Sequence, residues 1–299
     1  MSGFTADDVP GQSGRCFLVT GANTGLGFEA AKVLAARGAR VLLGCRNRDK
    51  AEEAMERIRG EHPGADLSFV PLDLADLDSV REASEIVGRE PRLDVLVNNA
   101  GVMFTPFEQT KQGFELQWGV NHLAGFALTG LLLPKLAEGQ APRVVVTSSL
   151  AHKRGDITWD DLNAEKSYSR VQRYSDSKLA NLLHVFELDR RLKATGSPVV
   201  TAACHPGFAS TDLSRHIGPL NFLFPIGGLL FNSAAQGAWP TLQAATGGIE
   251  PGAYYGPQRL FETAGKSGLA KRSGASMAPD LAKRLWDVSV EMTGIDPGI

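Results

Sequence analysis

The sequence has few cysteines and no pair of them at metal-binding spacing. Its 299 residues include three cysteines and no Cys-x-x-Cys motif. Cys16 and Cys45 lie in apolar, strand-like stretches, which favours small buried side chains in a reducing compartment over disulfides. The six histidines are scattered along the chain, without the spacing of zinc ligands. We therefore expect no metal site.

Strong net charge and long apolar runs are also missing. The formal net charge is −2 and the sequence pI about 6.3, so binding to nucleic acid or to an anionic membrane is not expected. The most apolar stretch, residues 217–231, is shorter than the ~18 residues of a spanning helix, and prolines and glycines interrupt it. The N-terminus carries Asp7 and Asp8 and lacks a secretory pattern. We expect no membrane span and a cytoplasmic location.

Apolar and amphipathic segments alternate along most of the chain. Helical periodicity separates strand-like runs at residues 15–22, 40–46, 67–74, 92–102, 142–151 and 198–208. Strict β–α alternation predicts an α/β fold, a doubly wound parallel β-sheet flanked by helices on both faces. We expect an N-terminal extension at 1–13, a single domain at 14–299, and within it an apolar loop at about 208–235.

A glycine-rich turn, TGANTGLG, joins the first strand to the first helix. Glycines there let the backbone approach a ligand, and the N–H groups at the helix start face a pyrophosphate. The spacing G-x3-G-x-G differs from the G-x-G-x2-G of many dinucleotide folds, and a turn without a ligand is also plausible. Its place in the first βα unit favours a dinucleotide site formed by Gly21, Asn23, Thr24, Gly25, Leu26 and Gly27.

The end of the second strand bears on which dinucleotide binds. Cys45 stands where an acidic residue would hold the ribose hydroxyls of NAD, and Arg46 follows it. The planar fork of an arginine suits a 2′-phosphate, so NADP is favoured over NAD. The alternative is a solvated surface arginine.

The third and fourth strands also end in residues suited to a cofactor groove. Ligands bind at the carboxyl ends of strands in open α/β sheets. An aspartate after the third strand is placed to accept from the adenine amine, and a small-residue turn after the fourth would line the groove floor. These cofactor-binding residues are Asp73, Leu74, Asn99, Ala100 and Gly101.

A tyrosine and a lysine, Tyr174 and Lys178, are four residues apart in YSDSK on a predicted amphipathic helix, and therefore share a face. Ordinary packing of a tyrosine beside a surface lysine is the alternative. A free phenol titrates near pH 10, and an adjacent ammonium group with a positive nicotinamide ring would favour the phenolate. Tyr174 would then act as an acid/base. Ser148 and Ser149 end the fifth strand nearby, and a serine hydroxyl can hold a carbonyl oxygen.

These motifs together resemble the short-chain dehydrogenase/reductase superfamily from about residue 14 onward. The resemblance rests on TGANTGLG, LDL, NNAG, VNHLAGF, VTSS, YSDSK and HPGFASTDL in this order. It implies a Rossmann-type fold and hydride transfer between NADP(H) and a ketone, aldehyde or alcohol. It also implies a catalytic set of Ser149, Tyr174, Lys178 and Asn121, in which Asn121 holds a water behind Lys178.

The resemblance further implies that the HPG strand end binds the nicotinamide carboxamide, through Pro206, Gly207 and Thr211, and that Lys178 holds the nicotinamide ribose. Tyr174 would also lie against the cofactor. SSLAH, HPG and the 25 positions from Ser149 to Tyr174 are similar to the retinol dehydrogenase and protochlorophyllide reductase-like branch. YYGPQ and RLWDVSVEMTG are similar to the tail of its bacterial members.

Two departures from the family pattern matter. Some NADP-binding relatives have a basic residue in the glycine turn, where this chain has Asn23 and Thr24, so phosphate selectivity would rely on Arg46. Asp176 stands where a small residue is usual, and we expect it to point away from the site because it does not share a helical face with Lys178.

Substrate contacts are expected from residues 102–115 and 208–235. The second segment is markedly apolar, which fits a lid over a small hydrophobic carbonyl or alcohol; core packing or a dimer contact is equally open. Its apolar residues are Phe208, Leu213, Ile217, Phe222, Phe224 and Phe231. The basic stretch HKRGD at 152–156 is expected to be a solvated loop. The superfamily often dimerises through the helices that bear Asn121 and Tyr174, so a homo-oligomer, a dimer or tetramer, is expected.

Two functions of different class stay open. The first is an NADP-dependent oxidoreductase, and the second is a non-catalytic NADP-binding sensor or scaffold. The intact set of Ser149, Tyr174 and Lys178 favours the enzyme, because a sensor has no physical need for all three. Light-driven pigment reduction has no support in the composition.

Overall fold

The computed structural model describes residues 3–208 and 232–299. Its centre is an eight-stranded sheet in the order β3-β2-β1-β4-β5-β6-β7-β8. Seven strands run parallel, and β8 is antiparallel to β7. The strands are Cys16–Thr20 (β1), Arg40–Cys45 (β2), Leu67–Pro71 (β3), Val95–Asn98 (β4), Arg143–Thr147 (β5), Val200–Cys204 (β6), Ala253–Arg259 (β7) and Ala264–Leu269 (β8). The doubly wound prediction is confirmed, and the strand order reverses between β1 and β4, where ligands bind in such sheets.

Helices cover both faces of the sheet, as the uninterrupted burial of β1 requires. Phe17 and Val19 share an apolar cluster with α1, α2 and α8, whereas Leu18 lies in the opposite cluster with α3, α5, α6 and α9. The helices are Gly25–Ala36 (α1), Arg48–Glu61 (α2), Leu77–Gly88 (α3), Leu116–Trp118 (α4), Ala124–Ala137 (α5), Arg170–Ala194 (α6), Ala234–Gly237 (α7), Trp239–Thr246 (α8) and Pro279–Thr293 (α9).

Three local features differ from the sequence-based expectation. The helical segment between the fourth and fifth strands is not one regular helix: α5 is preceded by α4 and a π-helical turn at Gly119–Leu123, in which the Ala124 N–H donates to the Gly119 carbonyl. The β7–β8 hairpin was not anticipated. The HKRGD stretch begins inside a 3-10 helix, Leu150–Arg154, in which His152 is fully buried, so the expectation of a solvated loop was wrong for that residue.

The expected N-terminal extension packs on the domain. Phe4 forms an antiparallel bridge with Ser267 of β8, and Val9 is buried in the core. The boundary at residue 14 stays a prediction, but the described residues before it contribute to the same core.

Helix α9 covers α5, α6 and the π-helical turn. His122 Nε2 lies 2.8 Å from Ser289 Oγ, and the Trp286 ring stacks on His184 and meets Phe126 edge-on. The tail after α9 continues this contact, because Arg191 donates to the Ile299 carbonyl at 3.0 Å. The face expected to form a dimer contact is therefore buried within the chain. No helix in residues 3–208 and 232–299 is long and apolar enough to cross a membrane.

Candidate active site

The glycine turn leaves no room for side chains. Gly21 has a φ of 66°, and a Cβ there would lie 3.0 Å from the Cβ of Ala100. A Cβ at Gly27 would lie 2.5 Å from the Gly21 carbonyl oxygen and 2.6 Å from Asn99 Nδ2. Gly25, with a φ of 57°, begins α1. The turn therefore places the N-terminus of a twelve-residue helix at the carboxyl end of β1.

The turn after β4 is tied directly to the end of β1. The Thr20 hydroxyl accepts from the N–H groups of Asn99 and Ala100, both at 3.0 Å, and Asn99 Nδ2 donates to the Thr20 carbonyl at 2.9 Å. A Cβ at Gly101 would lie 2.9 Å from Asn121 Oδ1 and 3.4 Å from Lys178 Nζ. The structure thus brings the residues predicted for the cofactor against those predicted for catalysis.

At the end of β2, a buried thiol, Cys45, is followed directly by an exposed cation, Arg46. Burial raises the pKa of Cys45 to about 11, although the Ala22 and Asn23 backbone N–H groups beside its sulfur oppose this rise. Arg46 is exposed and has no ion-pair or hydrogen-bond partner among the described residues. Its guanidinium is therefore available to a ligand at the carboxyl end of β2.

Asp73 lies in the loop after β3 rather than in the strand, which ends at Pro71. Its Oδ1 accepts from the Ala75 N–H, and its own N–H donates to Ser79 Oγ, both at 2.9 Å. Leu74 packs its side chain against the core. The loop is thus held in shape by its own hydrogen bonds.

Tyr174 and Lys178 share one face of α6, as predicted. The Lys178 ammonium lies 5.7 Å from the centroid of the Tyr174 ring and donates to the Thr147 carbonyl at 3.2 Å. Burial lowers the pKa of Lys178 to about 8. The lysine is therefore a buried neighbour of the phenol and not a surface residue.

Burial raises the pKa of Tyr174, and a hydrogen bond with the Ser149 side chain opposes this rise. The phenol of the protein chain by itself is thus protonated at neutral pH, and the lowering of its pKa by cationic neighbours stays a prediction. Phe104 meets the Tyr174 ring edge-on at 5.3 Å and has a φ of 56°, an uncommon conformation for a bulky residue. Segment 102–115 therefore reaches the candidate site.

Asn121 is held by main chain and by α6. It exchanges two hydrogen bonds with Val102, at 2.7 and 2.9 Å, and donates to Ser177 Oγ at 3.0 Å. Ser177 in turn donates to the Tyr174 carbonyl at 2.8 Å. The π-helical turn that carries Asn121 is a rare element that often marks functional sites.

The HPG strand end is also shaped for close contact. Gly207 has a φ of 73° and donates its N–H to His205 Nδ1 at 3.2 Å, and a Cβ at Gly207 would collide with the Thr263 carbonyl of the β7–β8 hairpin. Pro206 precedes it in the same turn. Thr211 and most of the predicted lid lie outside the described residues.

Asp176 points away from the site, as expected. It is fully buried and accepts from the Asp156 N–H at 2.8 Å and from Gln172 Nε2 at 2.7 Å. Arg173 lies 3.6 Å away and adds a partial ion pair. The hydrogen bonds of Asp176 thus lie on the far side of α6 from Lys178.

The sheet topology and the Ser–Tyr–Lys arrangement agree with the short-chain dehydrogenase class. A family model described as short chain dehydrogenase matches residues 15–220, so the chain belongs to that family. More narrowly, it falls in the retinol dehydrogenase-like branch. Human retinol dehydrogenase 13 is 42% identical over 292 residues, covering 95% of this chain and 86% of the relative. Mouse retinol dehydrogenase 14 is 42% identical over 301 residues, covering 94% and 86%.

Solved structures agree with this assignment. The crystal structure of an uncharacterised protein from Mycobacterium paratuberculosis matches with a TM-score of 0.84 and 38% identity over all of both chains. A short chain dehydrogenase from Shigella flexneri, solved in complex with NADP, matches with a TM-score of 0.64 and 26% identity over 80% of this chain and 94% of that one. The protein is an NAD(P)-dependent oxidoreductase that acts on CH–OH donors.

Proposed function

We propose that the protein interconverts a hydrophobic ketone or aldehyde and its alcohol with NADP(H), and that Tyr174 is the acid/base. The observation that carries this proposal is the convergence of Gly101, Asn121 and Lys178 beside Tyr174. It joins the residues predicted for the cofactor to a buried phenol that is hydrogen-bonded to Ser149.

The chain's own residues would handle the proton and the substrate oxygen. When bound, the nicotinamide cofactor supplies or accepts the hydride. During reduction Tyr174 would donate its proton to the carbonyl oxygen, and the Ser149 hydroxyl would hold that oxygen as negative charge develops. Lys178 would then stabilise the phenolate that remains, and Asn121 would hold the water that reprotonates it.

The protonation state of Tyr174 supports the reductive direction. Burial raises the pKa of this phenol, so at neutral pH it carries the proton that carbonyl reduction needs. Alcohol oxidation needs the phenolate, which would become populated only at higher pH or beside additional positive charge. We therefore expect carbonyl reduction to be faster near neutrality.

NADP is proposed over NAD because of the end of β2. The glycine turn fits a pyrophosphate, since it places the N-terminus of α1 at the carboxyl end of β1, where main-chain N–H groups can hold an anion. Arg46 is exposed without a partner in the described part of the chain, as a 2′-phosphate ligand should be before binding. The NADP-bound relative from Shigella flexneri supports the same choice.

A hydrophobic substrate is proposed from the aromatic contact of Tyr174 and from exposed apolar residues in the two expected substrate segments. Phe104 contacts its ring, and Phe107 and Phe208 are exposed large apolar residues in the two segments expected to contact substrate. The named relatives make retinal a first compound to test. A homo-oligomer in the cytoplasm stays a prediction, and because α9 covers α5 and α6, such an oligomer would use another surface.

The test is a panel of aldehydes and ketones, retinal among them, assayed by the loss of NADPH absorbance. We expect turnover of hydrophobic carbonyls by the wild type. The Tyr174→Phe variant should lose activity by at least roughly 1000-fold while NADPH still binds, as measured by fluorescence titration. Undiminished turnover by the variant would remove Tyr174 from its role, and NADPH binding with no turnover across the panel would favour the sensor.

A further inference from the structure

Gln117 is a fully buried glutamine of α4 that belongs to none of the sequence motifs. Its side-chain amide connects three segments around Tyr174. The Oε1 atom accepts from the Phe104 N–H at 2.9 Å, and Nε2 donates to the Tyr168 hydroxyl at 3.1 Å and to the Arg170 carbonyl at 3.0 Å. A buried amide is costly unless its polar atoms are paired, and here the oxygen and both hydrogens of the amide have partners.

The orientation of this amide follows from its partners. The Phe104 N–H can only donate and the Arg170 carbonyl can only accept, which places Oε1 and Nε2 of Gln117 without ambiguity. The Tyr168 hydroxyl directs its one hydrogen to the Thr105 carbonyl at 2.9 Å, the nearest of the three acceptors around it, and its lone pairs are left for Nε2. The network therefore runs from the main chain at 104–105 to the first residue of α6, one turn before the candidate acid/base.

Phe104 has a backbone that needs such support. Its φ of 56° lies in the left-handed region, which a bulky residue rarely adopts. The hydrogen bond to Gln117 holds this backbone, and the ring it carries meets the Tyr174 ring edge-on with centroids 5.3 Å apart. The residue is only partly buried, so part of its surface stays open beside the phenol. Without the amide, the Phe104 N–H would lose this acceptor and the backbone would be free to return to a negative φ.

We propose that Gln117 is a positioning residue for substrate selection: it holds the Phe104 ring beside Tyr174, where the open part of that ring contacts the apolar chain of the substrate. The role rests on the proposed function and adds to it the origin of the preference for apolar substrates. A long aldehyde gains from this contact more than a short one, because each buried methylene adds to binding. Gln117 itself touches neither substrate nor cofactor in this scheme.

Gln117→Met is the main test, with Gln12→Met as its matched control. Gln12 is also buried, donates to the Pro10 carbonyl and accepts from Arg15, both at 2.9 Å, but lies before β1, at the end of that strand away from the candidate site. We expect Gln117→Met to lower the ratio of kcat/KM for decanal over propanal about tenfold, through a higher KM for decanal. The kcat for propanal should stay within about threefold, and Gln12→Met should keep the wild-type ratio.

Phe104→Ala separates this role from general packing by Gln117. Removal of the ring should lower the same ratio about tenfold, and adding Gln117→Met should lower it no further, because the amide acts through that ring. A further loss of selectivity in the double variant would contradict the role. Tyr168→Phe removes one partner of the amide and should shift the ratio in the same direction by a smaller factor, which keeps the test valid if Gln117→Met does not fold.

The ring contact gives a second readout, which does not depend on turnover. In deuterated protein with protonated phenylalanine and tyrosine rings, an NOE should join the rings of Phe104 and Tyr174, assigned by its absence in Phe104→Ala. We expect this NOE to persist in Gln12→Met and to be lost in Gln117→Met, because the released backbone would carry the ring away from the phenol.

The outcomes separate this role from the proposed function. An active wild type whose decanal-to-propanal ratio is unchanged or raised in Gln117→Met overturns the positioning role alone. A wild type that reduces neither aldehyde contradicts the proposed function for this substrate class and leaves the NOE to decide the positioning role. A retained NOE in Gln117→Met then overturns that role, and a lost one supports it.

Discussion

The cofactor turn after β1 packs closely through its main chain, whereas the catalytic group at β5 and α6 is held together by side-chain hydrogen bonds. At the turn, main-chain groups approach one another where Gly21, Gly27 and Gly101 have no side chains. At the catalytic group, side chains make the contacts: Lys178 on Thr147, and Ser148 on the Lys178 carbonyl. The first region should therefore tolerate no added atom, whereas the hydroxyls that support the second, as distinct from the Tyr174 hydroxyl itself, should each contribute a small step.

Among the variants that leave Tyr174 in place, Gly27→Ala should produce the largest effect. The added Cβ would lie 2.5 Å from the Gly21 carbonyl oxygen, which requires the turn to move. We expect the Kd for NADPH to rise at least about 100-fold, or ~3 kcal/mol. Gly60→Ala is the control, since Gly60 lies in α2 with no atom of residues 3–208 or 232–299 within 4 Å of its added Cβ, and helix propensity should make that variant slightly more stable. Equal NADPH binding by both variants would contradict the main-chain description of the turn.

Arg46→Asp tests the exposed end of β2, the strand next to β1 in the sheet. Reversing this charge should lower the ratio of kcat/KM for NADPH over NADH about 50-fold, since a charge-assisted bond to the 2′-phosphate would be replaced by repulsion. Arg48→Asp carries the same charge change, but Arg48 already pairs with Glu52 at 3.3 Å and stacks on Phe69. An equal change of the ratio in both variants would point to general electrostatics and not to a phosphate site.

Low pH should lower the free energy of unfolding, because three histidines near the catalytic residues are buried. Burial lowers the pKa of His122 and His205 to about 3 and of His184 to about 4, below the value of about 6.5 in an unfolded chain. The unfolded state then binds more protons below pH 6.5, so the free energy of unfolding falls as pH drops, by up to about 1.4 kcal/mol per unit for each histidine.

Urea unfolding at pH 7 and pH 5 measures this loss. His184 has no hydrogen-bond partner for either ring nitrogen within the described ranges and stacks on Trp286. We expect His184→Leu to lose ~2 kcal/mol less than the wild type between the two pH values. An identical loss in both proteins would exclude His184 as a source of the acid sensitivity.

Ser177→Ala should give the smallest effect. Ser177 bridges Asn121 and the Tyr174 carbonyl, and loss of one neutral hydrogen bond is worth ~1 kcal/mol, so kcat should fall about fivefold. Ser175→Ala is the matched control two positions earlier, because among the described residues the Ser175 hydroxyl bonds only to the Val171 carbonyl of its own helix. Equal kcat values for the two variants would show that the bridge to Asn121 does not contribute.

Local sequence patterns predicted much of this arrangement. Apolar runs with glycine turns placed β1, α1 and their junction correctly, and the spacing within YSDSK placed Tyr174 and Lys178 on one face, because both depend on contacts between near neighbours in sequence. The motif residues at the end of β4 contact the cofactor turn, and those at the end of β5 contact Lys178, since parallel strands align their carboxyl ends.

The support behind the site could not be predicted, because it depends on long-range pairing. His152 lies among charged residues in HKRGD, and only the contact with Tyr254, about a hundred positions later, explains its burial. YYGPQ and SSLAH were noted as marks of the branch, without a physical role. The π-helical turn at Gly119–Leu123 likewise follows from packing around Asn121 and has no periodic signal of its own.

The placement of α9 has a consequence for how the chain folds during synthesis. The helices that carry the catalytic residues have the buried rings of Phe126 and His184 covered by Trp286, which the ribosome adds more than a hundred residues after the first of them. Until then the nascent polypeptide presents this stripe to chaperones and to other nascent chains. Cofactor binding by the glycine turn could begin well before that, so the two halves of the site should mature at different times.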